Sequence, residues 1–167
     1  KEKHEELWQE IWSRHNDVEF QEFVDLKSMR LEINDLVPLC QGEECVDFGC
    51  GNGSFAFALM EKGAKSVYGI DFGEKQVGYA KRVSESRNLE DQVTFKVGNV
   101  KNTGFESDRF GFAVSNGVFH HLHKADIPKA LNEVARVLRP GGWFWYYMDG
   151  KGSISQDLWD RTIEMLR

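Results

Sequence analysis

The chain has 167 residues, which is the length of about one domain. Hydrophobic residues make up 41% and charged residues 29%, a balance typical of a globular protein rather than a disordered or fibrous one. The formal net charge is −6 and no basic block occurs, so we expect no nucleic-acid partner. No apolar run is long enough to cross a membrane, and no signal-peptide pattern opens the chain. The first residue is Lys1 rather than Met, which suggests that the chain has been trimmed.

The three cysteines, Cys40, Cys45 and Cys50, give no sign of a metal site or of a disulfide framework. Their number is odd, and their spacing lacks the C-x₂-C pairs of zinc sites. We therefore expect reduced thiols, no metal and a cytoplasmic location.

Two helices are predicted ahead of residue 44. The first is indicated by apolar residues that recur at a helical spacing, namely Leu7, Trp8, Ile11 and Trp12. The second should present one apolar face and stop near Pro38. Its expected face consists of Met29, Ile33, Leu36 and Val37. We interpret residues 1–43 as an N-terminal helical cap and residues 44–167 as the core domain.

From residue 44 onward, short apolar runs alternate with helical patterns. Strands are predicted at residues 45–48, 66–70, 93–97, 110–114 and 143–147. Helices are predicted up to Met60, from Glu74 to Ser86 and from Asp126, as the N-cap, to Leu138. This alternation is typical of right-handed βαβ units, so the predicted class is α/β with a doubly wound, mostly parallel sheet.

The last predicted helix carries its own boundary signals. Its apolar face is expected to comprise Ile127, Leu131, Val134, Ala135 and Leu138. The segment Arg139-Pro-Gly-Gly142 should end it.

A glycine-rich loop follows the first strand, at the edge of the sheet where ligands bind in this class. Gly49, Gly51 and Gly53 stand at every second position and permit a tight turn and a close approach to a ligand. The spacing differs by one residue from the dinucleotide pattern G-x-G-x-x-G. A strand-to-helix turn that binds nothing is the alternative.

Asp71 and Phe72 end the second strand. The Asp71 carboxylate is suited to accept hydrogen bonds from the two ribose hydroxyls of an adenosine. Its alternative role is that of a surface residue that caps the next helix. Phe72 is compatible both with stacking on an adenine ring and with a place in the core.

Five segments in order resemble the motifs of the class I S-adenosylmethionine-dependent methyltransferases, especially the small-molecule branch, over about residues 44–148. They are Val46-Asp-Phe-Gly-Cys-Gly-Asn-Gly53, Gly69-Ile-Asp71, Val97-Gly-Asn-Val100, Ser115-Asn-Gly-Val-Phe-His-His121 and Glu133-Val-Ala-Arg-Val-Leu-Arg-Pro-Gly-Gly142. The last segment is the most specific, because nicotinamide-binding proteins have no reason to share it.

The resemblance implies a Rossmann-like methyltransferase fold, S-adenosylmethionine as cofactor and S-adenosylhomocysteine as product. The implied cofactor-binding residues are Asp47, Gly49, Cys50, Gly51, Asn52, Gly53, Asp71, Phe72, Gly98, Asn99, Val100, Ser115 and Asn116. By this resemblance Asp47 and the loop glycines hold the amino-acid part of the cofactor, and Asp71 holds the ribose. Asn99 and the Val100 amide lie beside the adenine.

Two residues depart from the family pattern. Asn99 stands where Asp is usual, but its amide oxygen still accepts a hydrogen bond from the adenine amino group. Gly111 also replaces a common Asp, from which we expect a slightly softer backbone before the fourth strand.

His120 and His121 follow the fourth strand and are the candidate catalytic residues. An imidazole exchanges protons near neutral pH, so either residue is suited to remove a proton from an acceptor. Contact with substrate and packing within the loop are the alternatives. His123 is expected to be an exposed surface residue.

The methyl acceptor is expected to be a small molecule, because Asn116 is not followed by the Pro-Pro-Tyr of many enzymes that methylate nucleobase or glutamine nitrogen. The net negative charge agrees with that expectation. Trp8, Trp12 and Arg14 resemble a helix that folds over the cofactor in this branch, with core packing as the alternative.

Two other functions are kept open at this point: a non-catalytic methyltransferase-like subunit and a nicotinamide-dependent oxidoreductase. The family's sheet normally has seven strands and only five are predicted here, so we expect the native polypeptide to continue past Arg167. Without the last strands, Trp143 to Met148 would be an exposed apolar edge, and a homo-oligomer is one way to cover it.

Overall fold

A computed structural model of the protein describes residues 16–148. The strands are β1 (Glu44–Phe48), β2 (Ser66–Asp71), β3 (Val93–Val97), β4 (Phe110–Asn116) and β5 (Leu138–Tyr147). The helices are α1 (Asp17–Ile33), α2 (Val37–Cys40), α3 (Ser54–Glu61), α4 (Glu74–Ser86) and α5 (Ile127–Val137), with a 3₁₀ turn at Phe119–His121. The helix expected around Leu7 and Trp12 lies outside the described residues, and the division into cap and core at residue 44 stays a prediction.

The described strands form one sheet in the order β3-β2-β1-β4-β5, and every neighbouring pair is parallel. The chain moves outward from β1 to β3 and then returns to the other side of β1 with β4. The predicted α/β class with a doubly wound sheet is therefore confirmed. This reversal opens a crevice at the carboxyl ends of β1 and β4, which is where such sheets bind ligands.

Alternation along β1 assigns its side chains to two different cores. Cys45 joins the cluster on the side of α1, α3 and α4, whereas Val46 and Phe48 join the cluster on the side of α5. Because successive strand residues face opposite sides, Asp47 shares the side of Cys45. The carboxylate of Asp47, on the central strand, therefore points to the side of the sheet on which α1, α3 and α4 lie.

Helix α1 begins with a capping box, in which Asn16 accepts from the Glu19 amide and Glu19 accepts in return from the Asn16 amide. It packs on α3 through Phe20, whose ring meets the Phe57 ring edge-on at 5.5 Å. The helix ends at Ile33, before Asp35 adopts a left-handed backbone with φ of 55°.

The predicted apolar face and end of this helix are wrong. Met29 and Ile33 are exposed, and the buried face consists instead of Phe20, Val24, Ser28 and Leu31. Pro38 does not stop the helix but occupies the first turn of α2, where its missing N–H costs nothing. The error arose because Leu36 and Val37 follow the helix, so that a face that included them was out of phase.

Helix α5 begins where predicted, and three residues of the predicted face, Ile127, Val134 and Leu138, do pack in the core on that side of the sheet. Leu131 and Ala135 are exposed, and the buried residues are Ala130, Glu133, Val134 and Val137. Asp126 stands at the N-cap without capping, since its carboxylate pairs with Lys101 at 2.8 Å and Lys129 at 3.2 Å.

The segment 139–142 belongs to β5 and does not end the helix, which stops at Val137. Leu138 pairs with Phe110 and Trp143 with Phe112, so the residues between them form an irregularity in the strand. Trp143 and Tyr146 are more than half exposed on this edge strand of the described sheet.

Glu43 explains why residue 111 is glycine. A Cβ at Gly111 would lie 2.1 Å from Oε2 of Glu43, whose other oxygen accepts from Arg139 at 2.6 Å. The softening expected from the loss of an Asp side chain is therefore not the main consequence. The carboxylate of Glu43, just ahead of β1, fills the space where a side chain at position 111 would lie.

All three cysteines are buried and free, as the sequence predicts. Burial raises the pKa of the Cys45 and Cys50 thiols, so both stay protonated at neutral pH. Between residues 16 and 148, no helix is long and apolar enough to cross a membrane.

Candidate active site

The loop from Gly49 to Gly53 joins β1 to α3 at the carboxyl edge of the sheet. The Gly49 and Cys50 amides both donate to the Ile70 carbonyl of β2, at 2.7 and 3.1 Å. Gly53 donates to the Cys50 carbonyl at 2.8 Å and closes the turn. These bonds fold the loop back over the end of β2.

The three loop glycines have positive φ angles but different surroundings. A Cβ at Gly49 would lie 2.3 Å from Val118, and one at Gly53 would lie 2.7 Å from Phe95. A Cβ at Gly51 would meet nothing within 4 Å. Packing therefore requires glycine at the outer two positions, whereas Gly51 borders open space where a ligand can approach the backbone.

Asn52 connects the loop to the start of α3. Its Oδ1 accepts from the Ser54 amide at 3.1 Å, which satisfies one of the free amides at the helix start. The side chain is buried.

Asp71 lies at the end of β2 beside the glycine loop and is 7% exposed. Its Oδ2 accepts from the Gly51 amide and its Oδ1 from the Gly73 amide, both at 2.9 Å. Burial raises the pKa of this carboxyl, and the backbone amides oppose that shift. The surface position considered from sequence is wrong, although the Gly73 contact does resemble a cap on α4. The carboxylate as a whole retains acceptor capacity for a ligand hydroxyl.

Phe72 is 60% exposed, so the alternative of a core residue is wrong. An exposed aromatic ring next to Asp71 is available to a flat ligand group at the same edge.

Asp47 is almost completely buried, and its Oδ2 has no hydrogen-bond partner among the described residues. Burial and, to a smaller extent, the nearby Asp71 carboxylate raise the pKa of Asp47 to about 7 against the opposing charge of Lys27 of α1. Half-ionised buried carboxyls without a partner are costly, and such groups cluster at functional sites.

Buried polar atoms without a hydrogen-bond partner are concentrated at this edge of the sheet. In residues 16–148 they are Asp47 Oδ2, Asn52 Nδ2, Gln76 Oε1 and His120 Nδ1. Three of these four atoms belong to residues that the sequence places in the site. Buried polar groups are normally paired, so the pattern indicates that a polar ligand completes the site.

The loop after β3 supplies the next predicted residues. The Gly98 amide donates to the Asp71 carbonyl at 2.8 Å, and a Cβ at Gly98 would lie 2.7 Å from Ile70. Asn99 is exposed, and its Oδ1 accepts from the Lys101 amide at 2.9 Å while one lone pair remains. Val100 is buried.

Glu133 of α5 holds the loop that follows β3 in place. Its Oε1 accepts from the amide and the hydroxyl of Thr103, at 2.7 and 2.6 Å. Arg136 donates to both of its oxygens, at 2.9 and 2.7 Å. The Arg136 hydrogen bonds, together with those from Thr103, lower the pKa of Glu133 to about 2.

Ser115 and Asn116 end β4 beside β1. Ser115 is fully buried, and its hydroxyl donates to the Phe48 carbonyl at 2.9 Å. Asn116 is half-buried, and its Oδ1 accepts from Arg30 Nη1 of α1. The Arg30 guanidinium also stacks over the Tyr147 ring, 4.6 Å from its centroid.

His120 and His121 lie in the 3₁₀ turn that follows β4, with ring centroids 4.0 Å apart. His120 is half-buried with Nδ1 turned inward, whereas His121 is exposed. His123 is exposed, as predicted. The two candidate catalytic imidazoles are therefore adjacent and accessible at the edge where the site residues converge.

Sequence reasoning did not single out Arg30, which donates to the predicted site residue Asn116, or Lys27, whose charge lowers the pKa of Asp47. They lie three residues apart on α1, whose other charged residues are acidic, namely Asp17, Glu19, Glu22, Asp25 and Glu32. That isolated basic pair was the available signal, because residues three apart share a helix face.

The site residues fit the cofactor that the sequence motifs imply. The unpaired Asp47 oxygen is an acceptor for an ammonium group, and Asp71 retains acceptor capacity for ribose hydroxyls. The open space at Gly51 admits a ligand against the backbone.

The family model described as "Methyltransferase domain" matches residues 45–142, more than half of the chain. With the fold and the site geometry above, this match shows that the chain belongs to the class I S-adenosylmethionine-dependent methyltransferases. S-adenosylmethionine is the cofactor of the domain.

Two relatives match part of the chain. The chain is 31% identical to 27-O-demethylrifamycin SV methyltransferase of Amycolatopsis mediterranei, over 64% of this chain and 39% of that protein. It is 30% identical to 2-phytyl-1,4-naphtoquinone methyltransferase of Trichormus variabilis, over 59% and 43%. The chain thus spans less than half the length of both relatives.

A solved structure of similar fold is the PH0226 protein of Pyrococcus horikoshii, with a TM-score of 0.66 and 28% identity. The similarity covers 80% of this chain and 60% of that one.

Proposed function

We propose that the protein transfers the methyl group of S-adenosylmethionine to a small-molecule acceptor at the carboxyl edge of its sheet. The observation that carries this proposal is the set of buried polar atoms without a hydrogen-bond partner among the described residues, which includes Asp47 Oδ2 of β1, Asn52 Nδ2 of the loop after β1 and His120 Nδ1 of the turn after β4. When bound, the cofactor supplies an electrophilic methyl group on a positively charged sulfur.

Different residues of the chain bind different parts of the cofactor. Asp71 accepts from the ribose hydroxyls, while its own bonds to the Gly51 and Gly73 amides hold the carboxylate in place. Asp47 accepts from the ammonium of the amino-acid part. Asn99 and the Val100 amide bind the adenine edge, and Phe72 covers its face.

Catalysis rests mainly on alignment of the acceptor and exclusion of water. His120 and His121 follow β4 at the edge where the acceptor enters, and either is suited to take a proton from an acceptor oxygen or nitrogen. For acceptors that carry no removable proton, the same imidazoles serve as contacts.

The proposal of a small-molecule acceptor is supported by the names of the two relatives, which denote enzymes acting on 27-O-demethylrifamycin SV and 2-phytyl-1,4-naphtoquinone. The net charge of −6 disfavours a nucleic-acid acceptor. Cytoplasmic location and self-association through the exposed edge of β5 stay predictions, and light scattering tests the second.

The proposal is tested in two measurements on the full-length protein. Calorimetry with S-adenosylhomocysteine should show binding in the micromolar range, and NADH should not bind. Radiolabelled S-adenosylmethionine should then label at least one member of a panel of small metabolites. Binding without any transfer, to metabolites or to proteins, would favour the non-catalytic subunit, and tight NADH binding alone would favour the oxidoreductase.

A further inference from the structure

The side chain of Asn116, at the end of β4, is held between α1 and the edge of the sheet. Its Oδ1 accepts a hydrogen bond from Nη1 of Arg30, whose guanidinium lies 4.6 Å from the centroid of the Tyr147 ring. The next residue, Gly117, donates from its amide to the Tyr147 carbonyl at 2.9 Å. Asn116 is therefore fixed through its side chain by α1 and through the neighbouring amide by β5.

The contact with Arg30 dictates which way the Asn116 amide points. An arginine side chain carries five N–H donors and no acceptor, so the atom that faces it must be the amide oxygen. The amide nitrogen Nδ2 is bonded to the same carbon and points away from Arg30, and it makes no hydrogen bond to another described residue. Asn116 is half-buried, so its two N–H groups are available to a ligand, and toward that ligand the amide is a donor only.

These N–H groups lie where the acceptor is proposed to bind. Val114 of β4 pairs with Asp47 of β1, so Asn116 lies two residues further toward the carboxyl edge, on the same face of the sheet. The turn with the candidate catalytic histidines follows, and a Cβ at Gly117 would lie 3.8 Å from Cε1 of His120. The donor-only amide and the imidazoles proposed to remove a proton are therefore neighbours.

A donor-only group beside the reacting atom is suited to one class of nucleophile. A hydroxyl oxygen has two lone pairs, so one pair forms the new bond to the methyl carbon while the other accepts from Asn116. The hydroxyl proton passes to the imidazole of His120 or His121, and the electrons of the broken methyl–sulfur bond stay with the sulfur. A neutral amine nitrogen has a single lone pair, which the new bond consumes. A carbon nucleophile has no lone pair to spare, and a thiol sulfur is a weak acceptor.

We propose that the methyl acceptor is a hydroxyl compound that is methylated on oxygen, and that Arg30 is a positioning residue that selects oxygen by holding the Asn116 N–H groups toward it. This inference rests on the proposed function and deepens it, because the family assignment does not decide which kind of atom receives the methyl group. A donor-only side chain in place of Arg30 should keep the preference for oxygen, whereas an apolar one should let the amide turn and lose it.

The test measures transfer from radiolabelled S-adenosylmethionine, by the full-length protein, to pairs of small molecules that differ only in the nucleophile. The pairs are phenol and aniline, 1-naphthol and 1-naphthylamine, and 4-hydroxybenzoate and 4-aminobenzoate. The variants are Arg30→Met, Arg30→Lys and Asn116→Asp. The control is Arg82→Met, which removes an exposed arginine of α4 that also lies over a tyrosine ring, 6.0 Å from the centroid of Tyr79.

A second readout needs neither ligand nor turnover. In the protein labelled with ¹⁵N, the side-chain amide signal of Asn116 is identified by its loss in Asn116→Asp. That signal should shift in Arg30→Met, because the amide oxygen loses its donor, and it should stay close to wild type in Arg30→Lys and Arg82→Met.

We expect kcat/KM of the wild-type protein to be about tenfold higher for the oxygen member of a pair than for its amine counterpart, which is the size of one good hydrogen bond. Arg30→Met should lose most of that preference through a higher KM for the oxygen member. Arg30→Lys should keep the preference, and Arg82→Met should match wild type. Asn116→Asp offers only acceptor oxygens and should lower transfer to the oxygen member about tenfold.

Faster labelling of the amine member, or a product methylated on carbon, would overturn the inference and leave the proposed function intact. An equal loss for both members of a pair in Arg30→Met would also overturn it, since a purely structural role of Arg30 gives that result. An Asn116 amide signal that does not respond to Arg30→Met would refute the contact itself. If S-adenosylhomocysteine binds but no member of any pair is labelled, the proposed transfer fails and the acceptor class falls with it.

Discussion

The Asp71 carboxylate accepts a 2.9 Å hydrogen bond from the Gly51 amide, across the gap between the ends of β2 and β1. This bond ties the acid proposed to bind the ribose to the loop position that borders open space. The two features that the sequence suggests separately, a glycine loop and an acid after the second strand, are therefore parts of one bonded unit.

Asp71→Asn should weaken S-adenosylhomocysteine binding by about 1.5–3 kcal/mol, because the ribose hydroxyls lose their charged acceptor. The amide group also turns an N–H toward either the Gly51 or the Gly73 amide, which disturbs the loop. Glu74→Gln, on the exposed first turn of α4, removes the same charge and should bind normally. Unchanged affinity of Asp71→Asn in calorimetry would contradict the assignment of the ribose site.

Gly51→Val should abolish cofactor binding while the fold persists. The branched side chain enters the open space and costs about 1–2 kcal/mol of backbone strain at φ of +51°. Gly42→Val is the matched control, since Gly42 also has positive φ and free space but precedes β1 at the opposite edge of the sheet. Both variants should show similar losses in thermal stability, and only Gly51→Val should lose the ligand.

Gly53→Ala should have the opposite profile, with a loss of stability even in the absence of ligand. Its Cβ would lie 2.7 Å from Phe95 and 3.0 Å from Ala80, and overpacking of this kind costs about 1–3 kcal/mol. Urea unfolding measures that loss, and a wild-type midpoint would refute the packing argument. Glycine at positions 51 and 53 looks identical in the sequence, and only the tertiary neighbours distinguish the two.

The strands were predictable because a buried parallel sheet requires short apolar runs, a pattern that is clearest in β4, whereas β3 alternates between buried and exposed residues. Helix faces were harder to predict. The spacing of Met29 and Ile33 is that of an apolar stripe, but both side chains are exposed. The buried face of α1 is the one that carries Phe20, whose ring packs against Phe57. The tertiary contact outweighs the local pattern because it buries more area.

For the candidate site, too, some residues were predictable from the sequence and others were not. Asp47, Asp71 and the loop glycines stand at strand ends, so the topology alone brings them together. Lys27 and Arg30 come from a helix that precedes the sheet, and no spacing in the sequence states over which strand that helix will lie. The position of a side chain that comes from an element outside the sheet is therefore known only from the structure.

Glu133→Gln should destabilise the protein at neutral pH, because it removes the charged acceptor of Thr103 and Arg136. The pKa of Glu133 is lowered from its ordinary 4.5 to about 2, so its contribution is present above pH 4.5 and lost as the pH falls toward 2. With Arg136 partly exposed, we expect about 2 kcal/mol. Urea unfolding at pH 7 and pH 3 checks this, since the gap between wild type and variant should shrink at pH 3. Glu106→Gln, an exposed residue, should show no such gap.

Asp47 should make cofactor binding dependent on pH close to neutrality, where an ordinary surface acid no longer titrates. Its pKa is raised to about 7, so below pH 7 the site holds a proton that must leave before the carboxylate can accept from an ammonium. Affinity for S-adenosylhomocysteine should therefore fall up to tenfold for each pH unit below 7, whereas binding of 5′-deoxy-5′-methylthioadenosine, which lacks the amino acid, should change little. The groups that face Asp47 are Lys27, Asp71 and Cys50, and the raised pKa of the Cys50 thiol keeps that group neutral across this range.

Asp47→Asn separates this effect from the titration of its neighbours. Because the raised pKa means that ionisation of Asp47 destabilises the folded state, the contribution of this group to stability is full below about pH 4 and is lost as the pH rises through 7. The variant should therefore unfold at a higher temperature than wild type at pH 8, with the difference reduced at pH 5. It should also bind S-adenosylhomocysteine weakly, with a flat pH profile between 5 and 8. A variant that keeps the wild-type slope would show that another group carries the proton.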